Sequence, residues 1–279
     1  RSFATHPLFQ GNLVFINKSF EAVYDVKSFS ASAKGIINEA YRINLSARLT
    51  DSVIQDIQNK LLLQRDVKGT SGRTYWYFNG DFNSRPVFDR LLLLQRVMEA
   101  VDTLKRSSLN VRSLVKNISG VDLSARLTEA AVESIANNIL FLKDLKGTSG
   151  KPYLYFNNRF TDPAFDFSLL NSVAEAIAYL KQNLSGPEKG ALKDIYGIDI
   201  DNLNQATTQN LIDNVLYAKD INDADKDGRQ QYWFYNEATK AFDKLNILKS
   251  MLKAVVELRA WTDTKALFNH IYGVNLDQL

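Results

Sequence analysis

Residues 153–166 read YLYFNNRFTDPAFD, and the chain contains three further segments of the same kind. They read YWYFNGDFNSRPVFD from Tyr75, YWFYNEATKAFD from Tyr232 and, in a degraded form, LVFINKSFEAVYD from Leu13. Each has a run of four large apolar residues, an Asn, a polar turn and a final aromatic–Asp pair. Short aromatic-rich runs on either side of a polar turn are typical of β-hairpins. We therefore predict a β-hairpin at each of these segments.

Other motifs recur with the same spacing. DVKGTSG and DLKGTSG begin at Asp66 and Asp144, and LSARLT begins at both Leu45 and Leu123, so each pair is 78 residues apart (144 − 66 and 123 − 45). A third copy is more diverged, and a fourth begins near residue 271. Such a period indicates tandem repeats. The predicted divisions are 1–35 (a partial repeat, the hairpin half-unit), 36–108 (repeat 1), 109–186 (repeat 2), 187–263 (repeat 3) and 264–279 (the start of a further repeat).

Each repeat carries the signals of three helices. A short helix stops at a Gly, which suits a left-handed C-terminal cap, in the copies with Gly120, Gly197 and Gly273. A Thr precedes the next helical pattern and reads as its N-cap, at Thr50, Thr128 and Thr208. The last long helix should place Leu248, Met251, Val255 and Leu258 on one buried stripe.

These signals together predict a mainly α fold. Each repeat of about 78 residues has two long amphipathic helices, a short helix and a small β-hairpin, and the repeats form an elongated array. A lone hairpin is marginal in water, so its aromatic side must lie on a helix or on the next repeat.

Composition narrows the possible partners. The 34 basic and 31 acidic residues are interspersed and leave a net charge of +3, without the basic block that nucleic acid or an anionic membrane would attract. The longest apolar run, residues 91–94, is far shorter than a membrane helix, so we expect no direct membrane insertion. The chain has no cysteine, which excludes disulfides and thiolate chemistry.

Two loops suggest ligands, each with a simpler interpretation. KGTSG occurs at 68–72 and at 146–150 and could cradle a phosphate, but it lacks P-loop spacing and is better explained as a turn with two residues at positive φ. In the third copy Asp223, Asp225 and Asp227 alternate before Gly228, as in the first half of a calcium loop. Phe234 stands where the bidentate acid should be, so we expect at most a weak calcium site, or a solvated acidic turn. No other cofactor is predicted.

The aromatic segments are the candidate partner-binding sites. Tyr and Trp side chains at a spacing set by the repeat suit multivalent recognition of a protein or a glycan. The alternative is that these rings only seal the core of each repeat. The candidate residues are Tyr75, Trp76, Tyr77, Tyr153, Tyr155, Tyr232 and Trp233.

The sequence favours a binding or scaffold module over an enzyme, because no nucleophile motif or paired histidine appears. We expect a non-enzymatic part of an extracellular or cell-surface protein engaged in adhesion or assembly. The alternative is a structural linker subunit within a large multiprotein complex, in an organelle lumen.

Incomplete repeats at both termini add a hypothesis of head-to-tail self-association. The last helix of one chain would complete the first half-repeat of the next, which is a heterologous contact.

Overall fold

The protein is mainly α-helical, as the sequence predicts. The structure, a computed structural model, describes residues 13–82, 85–147, 149–157, 159–224 and 230–276. Within these ranges it is 56% helical, with eleven helices and a small two-stranded antiparallel sheet. The helices are α1 (Leu13–Lys27), α2 (Ala31–Tyr41), α3 (Asp51–Asp56), α4 (Leu91–Lys105), α5 (Leu109–Ser119), α6 (Glu129–Ile135), α7 (Ser168–Asn183), α8 (Gly186–Tyr196), α9 (Gln205–Asn210), α10 (Leu245–Ala260) and α11 (Thr262–Tyr272).

Helices α3, α6 and α9 each continue into a π-helical segment. The segments span Ile57–Leu62, Ala136–Leu140 and Leu211–Leu216. Each closes with a hydrogen bond from a backbone N–H to the carbonyl five residues earlier, at 3.0 Å for Leu63 and 2.9 Å for Phe141. A π segment inserts an extra residue into the helical turn. The residue that follows it is thereby turned toward the aromatic segment of the chain.

The Thr and Gly caps predicted above are confirmed except for one. Thr50 and Thr128 are N-caps whose hydroxyls accept a backbone N–H, and Gly120, Gly197 and Gly273 are left-handed C-caps. The third N-cap prediction is wrong, because α9 is capped by Asn204 and Thr208 is buried inside the helix. Asn204 and Thr207 form a reciprocal capping box there, so the helix begins one turn before Thr208.

The first of the four predicted hairpins is also wrong. Residues 13–25 lie in helix α1, where Phe15, Ala22 and Val26 are buried on one side. Buried Ser19 accepts a hydrogen bond from Gln58 at 3.0 Å, which holds α1 against the π segment of α3. A run of four apolar residues fits a strand or one side of a helix equally well, and packing favours the helix here.

The other three aromatic segments are less regular than full hairpins. Single antiparallel bridges close their turns, at Asn79–Val87, Phe156–Phe165 and Asn236–Ala241. The sheet itself lies on the other side of the third segment, where β1 (Lys219–Ala224) pairs with β2 (Gln230–Tyr232). The third aromatic segment therefore pairs with the preceding strand β1 through Tyr232, and also closes its own turn through Asn236 and Ala241.

The chain divides into two compact units, one of Arg1–Ser107 with Val121–Asp166 and one of Ser108–Gly120 with Phe167–Leu279. In the first unit α2 packs against α4 and α6, and α1 packs against α4 and the π segment of α3. In the second unit α5 packs against α7 and α9, and α8 packs against α10. These units follow spatial contacts, so the predicted repeat boundaries stay predictions.

No helix within the described ranges has both the length and the apolar character needed to cross a membrane.

Glu39 holds three elements of the first unit together. Its carboxylate accepts hydrogen bonds from Lys105 of α4, at 2.5 and 2.6 Å, and from the backbone N–H of Leu127 at 2.8 Å. Burial would raise the pKa of Glu39, but these bonds and the charges of Lys105 and Arg126 lower it below its usual value. The ionised carboxylate therefore stabilises the fold.

We predict that Glu39→Gln lowers the free energy of unfolding by about 1–3 kcal/mol at pH 7. Because the folded pKa of Glu39 is lowered, its contribution is present above the unfolded pKa and is lost as pH falls through the folded one. Urea denaturation at pH 7 and at about pH 3 should show the difference shrinking in acid. The control is Glu257→Gln, whose partner Lys253 is exposed. Equal effects of the two substitutions at pH 7 would contradict the role of Glu39.

Candidate functional site

The seven aromatic candidates lie mostly inside the protein. Trp76, Tyr77, Tyr153, Tyr155 and Tyr232 are buried, Tyr75 is half-buried, and Trp233 is 42% exposed. Tyr153 also uses its hydroxyl within the first unit, donating to the carbonyl of Thr70 at 3.2 Å. Burial favours the interpretation that the rings seal the core. A partner-binding role stays a prediction, and Trp233 offers the largest surface of the seven.

The residues after the second and third π segments, Phe141 and Tyr217, each contact several rings of an aromatic cluster. In the first unit the ring of Phe141 lies 5.2 Å from that of Phe156 and 5.9 Å from that of Phe165, and it stacks on Trp76 at 4.7 Å. In the second unit Tyr217 lies 5.6 Å from Tyr232. The π segments thus place the rings that organise the aromatic segments.

The buried tyrosines are unsuited to acid–base chemistry at neutral pH. Burial raises the pKa of Tyr155, and the nearby carboxylate of Asp144 raises it further. Burial likewise raises the pKa of Tyr77, with smaller contributions from Tyr41 and Asp66. Both hydroxyls stay protonated, so they act as structural groups.

The KGTSG loops are turns built around their own carboxylate. Gly69 and Gly72 have φ of 67° and 70°, and the two glycines of the second loop are also left-handed, so the turn interpretation is confirmed. The carboxylate of Asp66 accepts the N–H groups of Thr70 and Ser71, at 3.1 and 2.5 Å. These are N–H groups that a phosphate would need, and a negative charge already occupies them.

Each of these two loops exposes an aliphatic side chain at the same position. Val67 is 78% exposed and Leu145 is 90% exposed. Single exposed apolar residues are common on protein surfaces, so we attach no binding role to them.

The candidate calcium site falls largely outside the described residues. Asp223 lies in β1, whereas Asp225 and Asp227 lie beyond the described ranges. Among the residues that the structure does describe, no group of three or more His, Cys, Asp or Glu side chains is placed to hold a metal. The weak calcium site stays a prediction.

An apolar surface on the last two helices is a candidate that the sequence analysis did not identify. We call it the α10–α11 face, and it consists of Ile247, Met251, Leu267, Ile271 and Tyr272. Their exposures run from 39% for Ile247 to 66% for Tyr272.

Matching positions on the other helices are buried. The helices α4 and α10 can be aligned by their buried residues, Leu94 with Leu248 and Met98 with Leu252. In this alignment Met251 falls at the position of Val97. Met251 is 50% exposed, whereas Val97 is 2% exposed. Alignment of the capping residues Gly120 and Gly273 places Leu267, 57% exposed, at the position of Leu114, 2% exposed. The predicted burial of Met251 is therefore wrong, whereas that of Leu248 is confirmed. Helical periodicity identifies the stripe, but it cannot show whether the stripe is covered.

Comparison with known proteins adds no relative: no family model matches the chain, and neither curated proteins nor solved structures contain a match.

We predict that Phe141→Ala lowers the free energy of unfolding by about 3–5 kcal/mol, because it empties the centre of an aromatic cluster. Leu145→Ala, four residues further along on an exposed loop, should change it by less than about 0.5 kcal/mol. Chemical denaturation followed by tryptophan fluorescence measures both. Similar losses in the two variants would show that the cluster is not a major source of stability.

Proposed function

We propose that the protein is a non-enzymatic repeat protein that acts as a binding and scaffold module, within an extracellular or cell-surface protein engaged in adhesion or assembly. The observation that carries this proposal is the α10–α11 face. Five large apolar side chains on two adjacent helices remain open at positions that are buried elsewhere in the chain. Large apolar side chains exposed together on two neighbouring helices indicate an interaction surface.

Tandem repetition is supported by the spacing of the elements. The long helices α1, α4, α7 and α10 end 78, 78 and 77 residues apart (105 − 27, 183 − 105 and 260 − 183). Each of the first three is followed by an 11-residue helix and then by a helix with a π segment, and α10 is followed by the 11-residue α11. We propose that these repeats form an elongated array.

Small-angle X-ray scattering tests the array. A compact protein of this length would have a radius of gyration of about 19 Å. We expect the dilute monomer to exceed this value clearly, with a maximum dimension to match. A radius of gyration at the compact value would contradict the elongated arrangement.

The packing within each unit indicates what the α10–α11 face would accept. The short helix α2 packs against the long helix α4 and against α6, and α5 packs in the same way against α7 and α9. Since α11 carries the same stripe as α5, its natural partner is a long amphipathic helix followed by a helix of the α3 type. Besides α4 with α6 and α7 with α9, α1 with α3 is a further pair of this kind.

Helix α1 has a matching surface, which we call the α1 face: Ile16 and Tyr24. Ile16 is half-buried at the position where α4 has the fully buried Leu94, and Tyr24 is 66% exposed. We propose that the α10–α11 face of one copy binds the α1 face of a second copy, head to tail. This contact is heterologous, so it extends into filaments or rings.

The strength of this contact should be modest. Each large apolar side chain that becomes buried contributes about 1.5–3 kcal/mol, against an association cost of about 4–15 kcal/mol. We therefore expect dissociation constants of about 1–100 µM.

Sedimentation velocity over a concentration series tests the proposal. The wild-type chain should form species larger than a dimer, and Leu267→Asp with Ile271→Asp should abolish them, as should Tyr24→Asp. All three positions are exposed, so the variants should fold, which circular dichroism verifies. The control is Leu145→Asp, at an exposed position outside both faces.

A mixture of the two kinds of variant makes the test specific. Each kind keeps one intact face, so an equimolar mixture should form dimers and nothing larger. A wild-type chain that stays monomeric at about 1 mM would overturn the proposal. Larger species in the mixture would overturn the head-to-tail geometry.

A further inference from the structure

The second compact unit contains an open cleft of about 720 Å³ that none of the roles discussed above uses. Helix α7 forms one wall with Asn171, Glu175 and Tyr179, which follow one another at four-residue spacing and so lie on one side of the helix. Phe242 and Asp243, just before α10, form the opposite wall. The volume is in the range of ligand sites in proteins.

Hydrogen bonds hold the walls of this cleft in place. The hydroxyl of Ser172 on α7 donates to the carbonyl of Lys240, which ties the segment before α10 to the helix. Asn236 donates to the carboxylate of Asp243 at 2.8 Å and fixes its orientation. The cleft is thus formed before any ligand enters, which reduces the entropic cost of binding.

A matching position in the first unit shows what is unusual about the cleft. Glu99 of α4 corresponds to Glu175 and accepts hydrogen bonds from Ser30, Gln95 and Arg96, at 2.7, 2.8 and 2.7 Å. Burial would raise the pKa of Glu99, but these bonds lower it below its usual value. Its acceptor capacity is therefore largely used within the protein.

Glu175 is more available than Glu99. Both of its oxygens lie 3.3 Å from the Asn110 side-chain nitrogen, and the residue is exposed. At the position that corresponds to Arg96 the cleft has Ser172, and at that of Thr103 it has Tyr179. Helix α7 therefore has a hydroxyl where α4 has a cation, and an aromatic ring where α4 has a small side chain.

The lining selects the chemistry of the ligand. Four side-chain amides present both donors and acceptors, and two carboxylates add strong acceptors, beside the rings of Tyr179 and Phe242. The amides are Asn110, Asn171, Gln182 and Asn246. Paired donors and acceptors match vicinal hydroxyls, and a flat ring covers the apolar side of a sugar. The described lining has two carboxylates and no Lys or Arg, so it disfavours anionic ligands.

We infer that this cleft binds a neutral oligosaccharide. Glu175 and Asp243 accept hydrogen bonds from sugar hydroxyls, the amides bind them as donors and acceptors, and Tyr179 and Phe242 pack against the sugar rings. This site is distinct from the α10–α11 face, so it holds whether or not the head-to-tail assembly forms.

Titration of the full chain with maltohexaose, cellohexaose and chitohexaose, followed by amide chemical shifts in NMR spectra, tests the inference. At least one of the three should bind with shifts centred on α7 and the start of α10. Tyr179→Thr and Glu175→Ala should each weaken binding by about tenfold or more. Thr103→Ala, at the corresponding position of α4, should leave it unchanged.

Three results would overturn the inference. They are no shifts with any of the three sugars at about 10 mM, binding that Tyr179→Thr leaves unchanged, and tighter binding of the cationic chitosan hexamer than of chitohexaose. Repetition with the Leu267→Asp, Ile271→Asp variant separates this site from assembly. Sugar binding by that variant would support the cleft as a separate site, and loss of binding would overturn the inference that the cleft acts independently of assembly.

Discussion

The fold depends on covering the apolar stripe of each short helix. These helices are only 11 residues long, too short to be stable in isolation, so tertiary packing must stabilise them. In the first unit α2 obtains this cover from α4 and α6, and in the second unit α5 obtains it from α7 and α9. The cover always comes from helices later in the chain. The stripe of α11 is the case in which large side chains remain exposed, and the proposed assembly follows from that difference.

The aromatic segments pack into this helical framework. Phe141 and Tyr217 enter their clusters from the ends of helices, so the rings connect helix ends to irregular chain. The aromatic segments have only single β-bridges, which contribute little to their stability. The ring contacts with the helix ends are therefore needed to keep these segments ordered. Aromatic side chains thus lie in two different settings: packed together in the clusters and, for the half-buried Tyr179, along the cleft.

The sequence predicted what local chemistry controls, and failed where distant packing decides. Thr50, Thr128 and the positive-φ glycines were predictable because a cap or a tight turn selects the residue type directly. Residues 13–25 were mistaken for a hairpin because four apolar residues fit both periods. Strand β1, KDINDA, is polar, and Ile221 is its one residue of a type favoured in strands. The cleft and the exposure of the α10–α11 face depend on residues far apart in sequence, such as Asn110 and Asp243, which no local pattern relates.

The π segments also set the direction of the residue that follows each of them. Successive residues of an α-helix are rotated by about 100° around its axis, and a π segment holds one residue more in a single turn. If Ala136–Leu140 wound as an ordinary helix without losing a residue, Phe141 would be turned by about that angle. The cluster would then lose its central ring although every aromatic residue was still present. The surplus residue in each π segment therefore acts as a phase adjustment between the helix before it and the chain after it.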